Sequence, residues 1–137
     1  MSTKLSSEDF LVGLFATLAR RNWGTLSIGD SRFDRASAEA YKQLAKLANE
    51  RGVELRFVVT PHPVYGDSTV LRDAMARVGQ WDLISFDNPQ YRTVRFKMTP
   101  ARAARIMERF GLDQELFDVV TDRFESAYQG GSGATVA

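Results

Sequence analysis

The 137-residue chain contains no cysteine and a single histidine, His62. The missing cysteines exclude disulfide bonds, thiol catalysis and cysteine-ligated metal sites. One histidine leaves at most a carboxylate-rich metal site, and we predict neither a metal nor a cofactor. The absence of cysteine also suits a reducing compartment.

The sequence also lacks a long hydrophobic run. Its most apolar stretch, residues 10–19, is too short to cross a bilayer. Glu8 and Asp9 precede it, where a signal peptide requires positive charge. We therefore interpret this stretch as a buried first helix and expect a cytoplasmic protein without a membrane partner. Arginine is far more frequent than lysine, which hints at a GC-rich bacterial genome.

The residues that are present fit one domain at residues 1–128, followed by a flexible Gly/Ser-rich tail at 129–137. Apolar residues make up 44% of the chain and charged residues 26%, as in ordinary globular domains. The spacing of the apolar residues predicts the element order αβαβαββαα. This order indicates a single compact domain of the α/β (α+β) class, in which helices pack on a mixed sheet of about four strands.

The predicted sheet has two parts. Residues 24–28 and 53–59 alternate as strands do, and the helical spacing between them ends at Gly52. Two strands joined by such a helix favour a parallel βαβ pair with a right-handed crossover. Residues 82–86 and 91–98 flank the turn sequence Asp-Asn-Pro-Gln, so they predict an antiparallel hairpin.

Capping residues mark several helix ends in the sequence. Ser6 begins a capping-box pattern, and Thr99 followed by Pro100 marks the start of a later helix. Gly79 and Gly111 are placed to end helices. We expect Phe110 to lie on the buried face of the helix that Gly111 ends.

A parallel strand pair would bring polar residues together at one edge of the sheet, where ligands of open α/β sheets usually bind. The candidate ligand-binding residues at this edge are Asp30, Ser31, Arg32, Thr60, His62, Tyr65 and Asp67. The alternative is structural, because Asp30, Ser31 and Asp67 belong to the residue types that cap helix N-termini. His62 lies between two prolines, and its side chain would then only bond across that loop.

Gly-Asp-Ser at residues 29–31 follows a predicted strand and precedes a predicted helix. This arrangement resembles the nucleophile block of the SGNH (GDS-type) hydrolases, and residues 41–63 are similar to a segment of SGNH-like acyltransferases. The resemblance implies Ser31 as a nucleophile, which needs a neighbouring base. That family places its catalytic histidine near the C-terminus, whereas no histidine follows His62 here. The catalytic candidates are therefore limited to Ser31, His62 and Asp30.

Other catalytic patterns are missing. The sequence has no Walker motif, no dinucleotide-binding fingerprint and no G-x-S-x-G elbow. Asp30 and Asp67 would be the only paired carboxylates for acid–base work at the predicted edge, and no spacing forces them together. We therefore predict a protein that is not an enzyme.

Charges of opposite sign are separated in the C-terminal third of the chain. Residues 91–109 contain six cations and one acid, Glu108, whereas residues 112–128 contain five acids and one arginine. The formal net charge of +1 hides these two patches. A basic stripe of three arginines recurs at helical spacing after the predicted hairpin: Arg102, Arg105 and Arg109.

This pattern predicts a small binding or regulatory protein that contacts an anionic partner, either nucleic acid or an acidic protein surface. The predicted contact residues in the hairpin and the helix are Tyr91, Arg95, Lys97, Arg102 and Arg105, with Tyr91 as a stacking ring. Two alternatives remain open for the basic stripe, because it either pairs with the acidic last helix or forms a solvated face.

Two other functions also remain open. The first is a protein-interaction module or homodimer that binds no nucleic acid. The second is a hydrolase-like or small-ligand-binding domain that uses the edge around Asp30, Ser31 and His62.

Overall fold

The computed structural model describes residues 4–28, 31–57, 69–86 and 93–130. In chain order the elements are β1 (Lys4–Leu5), α1 (Ser7–Arg20), β2 (Thr25–Ser27), α2 (Ser31–Arg51), β3 (Glu54–Leu55), α3 (Thr69–Gln80), β4 (Ile84–Phe86), β5 (Thr93–Phe96), α4 (Pro100–Arg109) and α5 (Gln114–Gly130). The predicted α+β class, the compact fold and the general element order are confirmed. Within the described residues no helix is both long and apolar enough to cross a membrane.

Within the described residues the strands form two small sheets instead of one. Strands β1 and β3 pair in parallel, and β2, β5 and β4 form an antiparallel sheet in that order. The predicted hairpin of β4 and β5 is confirmed. The predicted parallel pairing of residues 24–28 with residues 53–59 is wrong, because in the described chain β2 pairs with β5 and β3 pairs with β1. The premise that both strands end at one sheet edge therefore fails.

Two physical reasons explain the different pairing. Helix α2 has 21 residues and rises about 1.5 Å per residue, so it carries the chain roughly 30 Å before β3 begins. The antiparallel register of β2 on β5 also matches the burial of both strands. It places buried Leu26 opposite buried Val94, and exposed Thr25 opposite exposed Arg95.

Helix α1 is the centre of the core, as its apolar sequence predicts. Every residue from 10 to 19 is buried, and the helix packs against α3, α4 and α5. The Phe10 ring lies 5.5 Å from the Phe57 ring beside β3, and the Phe15 ring lies 5.4 Å from the Phe96 ring of β5. The first helix therefore links the two sheets.

The ends of the helices follow the predicted caps with one exception. Ser6 forms a capping box with Asp9, and Thr99 accepts a hydrogen bond from the Arg102 backbone N–H. Gly52 and Gly111 adopt the left-handed conformation with φ of 69° and 67°, as expected after a helix. The expectation that Gly79 ends α3 is wrong.

Helix α3 continues to Gln80, and the left-handed residue that follows is Asp82, with φ of 63°. Helix α5 runs to Gly130, two residues into the predicted tail, and residues 131–137 lie outside the described residues.

Candidate functional site

Two basic residues of the hairpin, Arg95 in β5 and Lys97 just after it, are exposed. Val94 and Phe96 are buried, whereas Arg95 and Lys97 are exposed, as the alternation of the strand predicts. Arg95 lies on the central strand opposite Thr25 on one side and Ser85 on the other. The Arg95 side chain therefore lies on the exposed face of the sheet, between the hydroxyl side chains of Thr25 and Ser85.

Helix α4 continues this basic surface. The Arg102 guanidinium donates a hydrogen bond of 3.1 Å to the Lys97 carbonyl, which joins the start of the helix to the end of β5. Arg105 and Arg109 are exposed further along the helix. No acidic side chain of the described residues forms an ion pair with Arg95, Arg105 or Arg109. These three arginines are thus not neutralised by the part of the chain that the structure describes.

Three acids of α5 form ion pairs with one arginine at the end of α1. Arg21, at the end of α1, forms ion pairs with Asp118 at 3.8 Å, with Asp122 at 2.9 Å and with Glu125. Burial disfavours the charged guanidinium, but hydrogen bonds to Glu125 and Asp122 outweigh that effect and raise the pKa of Arg21. The alternative that α5 neutralises the basic stripe of α4 has no support among these contacts.

A cleft lies beside the basic stripe, between the ends of α3 and α4. It has a volume of about 770 Å³, and its lining residues are Trp81, Leu83, Arg102, Arg105, Ile106, Glu108, Arg109 and Phe110. The Trp81 and Phe110 ring centroids are 5.9 Å apart, with 49° between the ring planes. Trp81 is 44% exposed and Phe110 is 37% exposed. Large apolar side chains that remain this exposed and are rimmed by polar groups are typical of interaction sites.

The Trp81 and Phe110 rings occupy the same kind of backbone position. Each ring follows the last residue of a helix and precedes a residue in the left-handed conformation, Asp82 after Trp81 and Gly111 after Phe110. Because the chain turns sharply there, the Trp81 and Phe110 side chains stay at the surface. The expectation that Phe110 lies on the buried face of α4 is therefore wrong.

One ion pair fixes the end of the hairpin near the cleft. Lys97 bonds to the Asp82 carboxylate, and its backbone N–H donates to the Leu83 carbonyl at 2.9 Å. The hydrogen bond from Lys97 lowers the pKa of Asp82, and the charge of Arg102 acts in the same direction. The charge of Lys97 is therefore already paired with that of Asp82. Arg105 and Arg109 have no such pair in the described part of the chain and are available for a ligand.

The predicted ligand edge is described only in part. Asp30, Thr60, His62, Tyr65 and Asp67 lie outside the described residues, as does Tyr91 of the predicted contact surface. Ser31 is the first residue of α2.

The Arg32 guanidinium lies 4.8 Å from the centre of the Tyr128 ring. Near it, buried Asp34 bonds to Arg72 at 2.7 Å, which ties α2 to α3. In the described residues this region is thus a structural contact between helices. No cluster of three or more metal-ligating side chains occurs in the described parts of the chain.

Sequence reasoning missed the aromatic half of the cleft. Trp81 is an isolated apolar residue between Gln80 and Asp82, directly after a helix. This isolation is the feature of the sequence that could have indicated an exposed ring. Phe110 follows the apolar spacing of α4, so the sequence pattern placed it inside. Comparison with known proteins gives no further guide, because no protein-family model, no curated protein and no solved structure matches the chain.

Proposed function

We propose that the protein is a non-catalytic nucleic-acid-binding protein that uses the basic surface of the hairpin and α4. The observation that carries the proposal is the absence of acidic partners for Arg95, Arg105 and Arg109 among the described residues. Arginines that a protein neutralises internally are unavailable for phosphate, whereas these three are exposed. The hydrogen bond from Arg102 to the Lys97 carbonyl joins α4 to the end of β5, so both elements contribute cations to the proposed surface.

The surface also has the chemistry to position a phosphate backbone. The hydroxyl side chain of Thr25 stands opposite Arg95, and hydroxyls are common phosphate contacts beside arginine. Arg102 is held in place by its bond to the Lys97 carbonyl, so it loses little further conformational freedom when it binds an anion. An acidic protein surface would use the same cations, so competition between the two kinds of ligand distinguishes them.

The test is a binding titration with nucleic acids of mixed sequence at two salt concentrations, on the full chain. Light scattering on the same sample gives the oligomeric state. Phosphate-driven binding weakens as salt rises, with a log–log slope of about 0.7–0.9 per phosphate contact. The double variant Arg95→Gln/Arg105→Gln should lower that slope by roughly 1.4–1.8. The matched control is Lys46→Gln, since Lys46 is exposed on α2 and α2 packs mainly on α5.

The competing partner is tested in the same titration. No binding of any nucleic acid at low salt would refute the proposal. If poly-glutamate competes as well as nucleic acid of equal charge, the surface binds an acidic protein and the nucleic-acid proposal is wrong. A large loss of thermal stability in the double variant, with no change in binding, would show that the arginines serve the fold instead.

A further inference from the structure

We infer that the cleft lined by Trp81 and Phe110 binds one unpaired base, which stacks on these rings, so that the ligand is single-stranded nucleic acid. The inference rests on the proposed function and names its substrate class. It uses residues other than those on the sheet face, namely the two rings and the arginines of α4 that line the cleft.

The rings have the chemistry of a stacking platform. They contact each other at 5.9 Å, and each keeps more than a third of its surface exposed. Base–aromatic stacking is worth about 1–3 kcal/mol per base and tolerates any sequence, because every base has a π face. The exposed rings lie beside cations that form no ion pair within the described chain, and these two features match the flat base and the charged phosphate of a nucleotide.

The charged side chains that line the cleft fit a nucleotide better than an apolar ligand. Arg102, Arg105 and Arg109 line it together with one acid, Glu108. A carboxylate repels phosphate but accepts hydrogen bonds from the N–H groups of a base edge. The arginines therefore suit the backbone of the ligand, and Glu108 suits the base. A purely apolar occupant would offer no group to bond with the charged side chains of Arg105, Glu108 and Arg109.

A duplex does not offer an unpaired base whose face is accessible for stacking. Its bases are stacked on one another, and only their edges are accessible in the grooves. A base of a duplex would first have to be extruded, which costs a few kcal/mol. The cleft therefore favours a strand whose bases are already unpaired, and duplex binding would be limited to phosphate contacts on the basic surface.

Tryptophan fluorescence tests the inference directly, because the chain has two tryptophans in different settings. The Trp23 indole N–H donates to Glu125 at 3.1 Å, and its ring packs on the Tyr128 ring. Trp81 is the more exposed of the two and faces the cleft. A single-stranded 12-mer should quench the fluorescence of the native chain and of Trp23→Phe, whereas Trp81→Phe should lose most of that change.

Affinities of the variants complete the test, with a duplex of the same length as comparison. Trp81→Ala should weaken single-strand binding by about 5- to 150-fold and leave duplex binding unchanged. Trp81→Phe keeps a ring and should lie between the native chain and Trp81→Ala. This order can be checked even if the alanine variant folds poorly.

Two outcomes would overturn the inference, and they are distinguishable. Equal affinity for single strand and duplex, with no effect of either Trp81 variant, would refute base stacking in the cleft while the proposed function stands. Absence of binding to both ligands at low salt would refute the proposed function and the inference together.

Discussion

The rings of Trp81 and Phe110 belong to different helices and lie 5.9 Å apart, each placed by a left-handed residue that directly follows it. Helices end at many places in a protein without creating a site. Here two such ends lie side by side, and α4 adds arginines to them. The two rings are therefore exposed because the chain turns after α3 and after α4. No apolar sequence pattern predicts their position.

Removal of the second ring should weaken ligand binding but not the fold. We expect Phe110→Ala to reduce single-strand affinity by about 1–3 kcal/mol, because one of the two rings of the stacking platform is lost. The matched control is Val119→Ala on α5, since Val119 is 40% exposed and Phe110 is 37% exposed. Fluorescence titration gives the affinity and thermal melting gives the stability. Equal effects of both variants on binding would contradict a role of the ring in the site.

A side chain at Gly13 should disrupt the packing of α1 against α5. A Cβ atom at this position would overlap the buried Phe117 ring, so Gly13→Ala should lower the free energy of unfolding by about 1–3 kcal/mol. The control is Gly24→Ala, because nothing lies within 4 Å of a Cβ at Gly24. Urea denaturation of both variants measures the difference. Similar stabilities would mean that α1 and α5 are not in such close contact.

Two buried threonines should respond to the same substitution in opposite directions. The hydroxyl of Thr17 bonds to the Gly13 carbonyl at 2.7 Å, whereas the hydroxyl of Thr121 has no partner within the described residues. Thr→Val keeps the β-branched shape, so helix propensity changes little. Thr17→Val should lose about 1 kcal/mol of stability, and Thr121→Val should lose nothing or gain up to about 1 kcal/mol. Calorimetry on the two variants would show whether the signs differ.

Protonation of Glu39 at acidic pH should lower the stability of the fold. Hydrogen bonds from Arg123 on α5 and from Lys42 lower the pKa of the Glu39 carboxyl. Its stabilising contribution is therefore complete above the unfolded pKa of about 4.3 and is lost as the pH falls through the lower folded value.

Replacement by Gln provides the measurement for that dependence. Glu39→Gln should lower the free energy of unfolding at pH 7 by about 0.2–1 kcal/mol, since the pair is partly exposed. The difference from the native chain should shrink towards pH 3. Glu50→Gln is the control, because Glu50 is an exposed acid of the same helix and forms no ion pair in the described chain. A difference that is constant from pH 7 to pH 3 would contradict the assignment.

The sequence determined the features that depend on neighbours along the chain. The capping box at Ser6 and the left-handed glycines at 52 and 111 follow from local hydrogen bonds and local sterics. The burial of residues 10–19 follows from composition, and the alternation of Arg95 and Lys97 with buried residues follows from the period of a strand.

Only the tertiary structure decided which strands pair and where the rings lie. Strand β2 pairs with β5, although α2 connects β2 to β3 along the chain, and the helical spacing of a sequence does not determine where the next strand lies. The cleft of Trp81 and Phe110 joins two helix ends that are distant in sequence. Such a contact is set by packing against α1, because the interior accepts only arrangements that fill its space.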